Sequence, residues 1–178
     1  MGRYRDELTR AMEMLAGLPS SVFLGQAVAY PGTAMFGTLE AVPESKRIEL
    51  PVEEDFQLGV SFGLAFSGYL PISIFPRWNF LLLATNQLVN HLDKAQEMMK
   101  GQAPKVIIRT SIGSERPLHP GPQHTGDFTD AFRLLAQNIN FVRLDEPDQI
   151  FPAYQEAADR DDGVSTVLVE SGDFYGEK

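Results

Sequence analysis

Three short stretches carry residue types able to do chemistry. In Leu50–Gly68, LPVEEDFQLGVSFGLAFSG, the acids Glu53, Glu54 and Asp55 follow Pro51 where a strand gives way to a helix. Carboxylates in a first helical turn complement the positive end of the helix dipole, and that role accounts for Glu53 and Asp55. Glu54 stands at the strand-to-helix switch, where a carboxylate can point into the crevice beyond the strand ends. In Phe75–Lys94, FPRWNFLLLATNQLVNHLDK, Phe75, Trp78 and Phe80 cluster after a strand. Burial statistics make such aromatics core residues, and the functional alternative is a stacking platform for a planar ring. In Pro120–Phe128, PGPQHTGDF, His124 lies in a Gly/Pro loop with His119 just before it. The two are either acid–base groups or surface histidines. The spacing of His119, His124 and Asp127 matches no zinc pattern, so no metal site is expected.

These residues need elements to position them. Tyr4, Leu8, Ala11, Met12 and Leu15 recur at helical spacing, and Gly17 and Pro19 end that helix. After it, short β-type runs alternate with longer helical ones. The expected strands are Val22–Gly25, Arg47–Leu50, Leu70–Phe75, Lys105–Arg109, Asn140–Leu144 and Ser165–Glu170. The expected helices are Thr33–Ala41, Asp55–Ser67, Phe80–Met99, Thr129–Gln137 and Gln149–Asp159. Such alternation predicts an α/β fold of three layers, α/β/α, around a mostly parallel sheet of about six strands. Ligands of such sheets sit beyond the carboxyl ends of the strands, which directs attention to the segments after Leu50, Phe75 and Arg109. Thr110–Asp127, TSIGSERPLHPGPQHTGD, has no periodicity and is long for a connection. Loops of that length in compact domains are functional or disordered.

Composition narrows the function. The formal net charge of -9 argues against a binder of phosphate backbones. The absence of cysteine excludes disulfides, thiolate zinc sites and a cysteine nucleophile. The first residues, MGRYRDELTRAMEML, lack the apolar stretch of a signal peptide, and no apolar run approaches the roughly 20 residues of a membrane span. Cytoplasm is the expected location, with no nucleic acid or membrane as partner. There is no GxxxxGK[ST] loop, no GxGxxG after a strand and no GxSxG elbow.

Taken together, the blocks resemble a family. FLGQAV at Phe23–Val28, RIELPVEEDFQLGVSFGLAFSGYLPISIF at Arg47–Phe75, ATNQLVNHLDK at Ala84–Lys94, VIIRT at Val106–Thr110, PQHTGDF at Pro122–Phe128 and VLVESGDFYG at Val167–Gly176 stand in a fixed order. Order and spacing resemble the N-terminal, pyrimidine-binding domain of the beta subunit of 2-oxoacid dehydrogenases, within the transketolase-like group. The likeness runs from about Val22 to Tyr175. It implies thiamine diphosphate as cofactor, with magnesium held mainly by a partner subunit. It also implies a single pyrimidine-binding domain over residues 1–178, without the C-terminal domain that the family's beta subunit carries.

The resemblance assigns roles residue by residue. The family's proline-x-x-glutamate block falls on Pro51 to Glu54, so Glu54 becomes the carboxylate that hydrogen-bonds a ring nitrogen of the aminopyrimidine. That contact favours the imino tautomer, which in turn makes the ylid. The ring-stacking aromatic falls on Phe80, and the packing position on the other side of the pyrimidine falls on Pro76, where many members carry methionine. His124 matches a histidine over the reacting centre, a proton donor or acceptor toward substrate oxygens. Gln26 stands where the family usually has a glutamate of a relay between cofactor sites. The Gly-Asp-Gly…Asn motif that grips diphosphate and magnesium is absent. The resemblance therefore implies a diphosphate-binding alpha-type partner, in an α2β2 assembly acting on a 2-oxoacid or a ketose. The alternative is a cofactor-free structural or regulatory subunit that retains the fold.

Overall fold

The computed structural model describes residues 3–99, 104–113 and 119–176, so the middle of the Thr110–Asp127 loop lies outside the described residues. Six strands form one sheet: β1 (Ser21–Gly25), β2 (Arg47–Glu49), β3 (Leu70–Ile74), β4 (Ile107–Ile112), β5 (Asn140–Leu144) and β6 (Thr166–Ser171). Their order is β2-β1-β3-β4-β6-β5, and every pairing is parallel. The expectation of a mostly parallel, six-stranded sheet is met, with no antiparallel pair among the described residues. The central strands are buried along their length because a parallel sheet is covered on both faces, and that is why they read as continuous apolar runs.

Period-two alternation divides the core. Phe23, Ile72, Ile74, Ile107 and Leu168 face one layer, built from α1 (Arg3–Ala16) and α6 (Pro147–Asp159). Ile108, Val167 and Val169 face the other, built from α2 (Glu54–Phe66), α3 (Trp78–Leu81) and α5 (Thr129–Leu135). The α1 stripe is the expected one: Tyr4, Leu8, Ala11, Met12 and Leu15 are all buried. Each large side chain there contributes about 1.5–3 kcal/mol by leaving water. Among the described residues, no helix is long and apolar enough to cross a membrane.

Two expected helices take other forms. Thr33–Ala41 forms only a 3-10 turn, Met35–Thr38. Met35, Leu39 and Val42 still bury their side chains, but Pro31, Gly32 and Pro43 close in on both sides and leave no room for a second turn. Phe80–Met99 is broken into α3, a 3-10 turn at Leu82–Ala84, a π-helical turn at Gln87–Leu92 and α4 (Ala95–Met98). The wide turn ends where the Asp93 N–H donates to Leu88 O at 2.9 Å. The Asp93 carboxylate there accepts the Asn138 N–H at 2.7 Å, tying this segment to the approach to β5. Periodicity alone carries no sign of that long-range bond.

Candidate active site

The carboxyl ends of β1, β3, β4 and β6 open on a cavity of about 570 Å³. Its wall takes Gln26 and Ala27 from beyond β1, Pro76 and Phe80 from beyond β3, Ser111 from β4 and Tyr175 from beyond β6. Glu54 is the first residue of α2 and only 4% exposed. Behind the wall, the Gln26 amide donates from Nε2 to Glu54 Oε1 at 3.3 Å. The strand-to-helix switch thus delivers a buried carboxylate to Gln26, a residue of the cavity wall. Glu53 stands at the N-terminal end of the helix and makes no side-chain capping bond. Asp55 accepts from Gln87 Nε2 at 3.2 Å.

His124 joins the same group. Its ring packs on Phe80 with centroids 5.4 Å apart and planes tilted by 45°. His124 Nδ1 is buried and has no hydrogen-bond partner among the described residues. The loop is braced from two sides. Arg77 Nη1 donates to Gly113 O at 3.0 Å and to His124 O at 3.1 Å. Burial lowers the Arg77 pKa, and the charge of Asp173 opposes that shift. Trp78 Nε1 donates to Thr129 Oγ1, whose hydroxyl donates to Asp127 Oδ1 at 2.6 Å, and Arg143 Nη1 holds Asp127 Oδ2 at 2.8 Å.

Five sequence-derived residues therefore meet. Gln26, Pro76 and Phe80 share the cavity, Glu54 is bonded to the first and His124 packs on the third. The others are engaged elsewhere. Phe75 and Trp78 are fully buried core, which decides between the two readings of those aromatics. His119 is exposed, and its Nδ1 accepts the Gly121 N–H at 3.1 Å.

Beside the cavity lies a group not singled out in the sequence. Arg109 on β4 and Glu170 on the neighbouring strand β6, two residues apart in register, are both fully buried and paired through Arg109 Nε and Nη2. The hydroxyls of Tyr154 and Tyr175 also donate to Glu170, and Tyr175 carries this network to the cavity wall. The signal was available: an arginine and a glutamate inside otherwise apolar strands need each other when buried. Arg77 and Ser111 were also missed, and only tertiary structure brings them to the wall.

The cavity presents an aromatic face at Phe80, with the Glu54 carboxylate bonded to one wall residue, Gln26, and the His124 imidazole packed on another, Phe80. The class of fold is that of known enzymes. The chain superposes on a transketolase from Campylobacter jejuni subsp. jejuni NCTC 11168 with a TM-score of 0.74 and 19% identity, covering 95% of this chain and 25% of that one. A split-gene transketolase, described as an inactive beta4 tetramer, gives a TM-score of 0.72 and 16% identity over 94% of this chain and 51% of that one. The fold is the transketolase-like α/β fold.

Sequence gives the particular branch. The chain is 30% identical over 130 residues to the pyruvate dehydrogenase E1 component subunit beta of Caenorhabditis elegans, covering 70% of this chain and 36% of that protein. The chain is thus similar in sequence to 2-oxoacid dehydrogenase beta subunits and in fold to transketolases. It spans about a third of the length of the curated relatives it matches. No protein-family model matches the chain.

Proposed function

We propose that this chain is the pyrimidine-half, beta-type subunit of a heteromeric thiamine diphosphate-dependent enzyme. In this reading a diphosphate-binding alpha-type subunit completes the site in an α2β2 assembly, and the substrate is a 2-oxoacid or a ketose. The observation that carries it is the buried Glu54 carboxylate, bonded by Gln26, which with Phe80 lines the cavity.

The residues fit the pyrimidine end of that cofactor. An aminopyrimidine is flat, and it carries ring nitrogens and an amino group on its rim. Phe80 and Pro76 offer it walls, and a volume of about 570 Å³ accommodates it. His124 Nδ1, without a partner among the described residues, is the kind of buried polar atom that a ligand or water satisfies. When bound, thiamine diphosphate supplies a carbon nucleophile for the substrate carbonyl. Glu54 then holds a proton between its carboxylate and a ring nitrogen. Gln26 orients Glu54 through the bond to Oε1. His124 exchanges a proton with oxygens of the substrate. Magnesium and diphosphate fall to the partner, since this sequence has no Gly-Asp-Gly…Asn motif. Exposed apolar side chains, Val52 at 77% and Phe56 at 51%, flank the start of α2 and suit burial against such a partner. Ketol transfer and oxidative acyl transfer both begin with these steps.

Glu54→Gln tests the assignment. In the enzyme reconstituted with its diphosphate-binding chain, turnover falls at least about a hundredfold, while the melting temperature of the chain changes little. Wild-type turnover by the variant would refute the assignment.

A further inference from the structure

Gln26 reaches Glu54 from a loop that has no regular structure of its own, and something must fix it. At the end of β2, Glu49 pairs in register with Gly25, the residue before Gln26. The chain beyond Gly25 folds back over the Glu49 carboxylate and wraps it in consecutive backbone N–H groups. Ala27 N donates to Oε1 at 2.6 Å, and Val28 N and Ala29 N donate to Oε2 at 2.9 and 2.8 Å. Successive N–H groups around an anion form a nest, and bonds to a charged acceptor are among the stronger ones. The wrap requires a left-handed backbone at Ala27, with φ of 52°, the one such residue other than glycine among those described. A side chain disfavours that conformation, so the surrounding bonds must hold it. Gln26 and Ala27, which the clamp fixes, both line the cavity.

We infer that Glu49 is a positioning residue. Its carboxylate holds the strained turn at Ala27, and the turn sets the Gln26 amide against Glu54. This rests on the cofactor reading given above for Glu54, but its first link is a property of the chain alone. Glu49 is not among the residues of the cavity wall, so it acts through Gln26.

Glu49→Gln is the test, because it replaces one acceptor oxygen by a donor facing N–H groups. In nitrogen-15 NMR spectra of the full chain, the amides of Ala27, Val28 and Ala29 should lose protection from hydrogen exchange relative to the strands. The side-chain amide signal of Gln26 should move. In the enzyme paired with its diphosphate-binding chain, KM for thiamine diphosphate should rise by about tenfold, with a smaller change in kcat. Glu49→Asp keeps the charge and withdraws it by one methylene. It should show the same changes at reduced size, and it carries the test if the glutamine variant does not fold. Wild-type exchange and an unmoved Gln26 signal would overturn the inference. So would a lower melting temperature with unchanged KM, which would reduce Glu49 to a stabiliser of the fold. A wild-type pair that binds no cofactor would instead strike the cofactor reading, and the NMR result would still judge the clamp.

Discussion

Glu170 receives two donors from Arg109 and one hydroxyl each from Tyr154 and Tyr175, all deep in the molecule. Such a carboxylate needs its partners, because a charge left alone in that environment is strongly destabilising. The same surroundings act on the phenols. Burial, and then the charge of Glu170, pushes the pKa of Tyr154 well above its ordinary value and does the same to Tyr4. The consequence for stability has a definite sign. Unfolded tyrosines release their protons near pH 10, while the folded chain keeps both protons to higher pH. The folded state then binds more protons, so stability is fully present below about pH 10 and falls as pH rises above it, by up to about 1.4 kcal/mol per pH unit for each group. Melting curves between pH 8 and 12 should show this decline, and tyrosinate absorbance should show Tyr4 and Tyr154 ionising only with unfolding. Full tyrosine ionisation in the native state would contradict this account of the cluster.

Glycine at two places in the elements gives opposite expectations. Gly25 ends β1 with φ of 150°, and a Cβ there would lie 2.4 Å from the backbone oxygen of Ile74 on β3. Backbone oxygen in a parallel ladder cannot withdraw, so Gly25→Ala should destabilise the chain by on the order of 3 kcal/mol. Gly63 lies within α2 with nothing within 4 Å of an added Cβ. Gly63→Ala should stabilise the isolated chain by roughly 0.5–1 kcal/mol by removing backbone freedom from the unfolded state. Urea titrations of the two variants decide both, and equal shifts of the same sign would contradict the packing described. The inner strands β1 and β3 were legible because strands buried on both faces read as apolar runs. The stretch Thr33–Ala41 misled because its apolar spacing reflects burial against α1 and not a helix. The break within Phe80–Met99 was illegible because Asp93 answers to Asn138, distant in sequence.

For the whole molecule, the resemblance assigns chemistry to residues that lie on separate connections of the chain. Glu54, Phe80, Pro76, Gln26 and His124 come from four separate connections, and the parallel sheet brings them to one end. Their selection came from the family resemblance. The clamp of Glu49 and the braces of Arg77 could not be read from the sequence, because each bonds to backbone groups whose direction only the folded loop defines. In the proposed reading the molecule offers one face of a cofactor site, and Val52 and Phe56 are exposed at the start of α2. The measurement that tests the account most directly is calorimetry of thiamine diphosphate binding with magnesium, for the chain alone and mixed with its diphosphate-binding partner. The account predicts micromolar or tighter binding, about -8 kcal/mol or better, in the mixture only. Absence of binding in both would contradict it, and the chain would then be a fold kept without its cofactor.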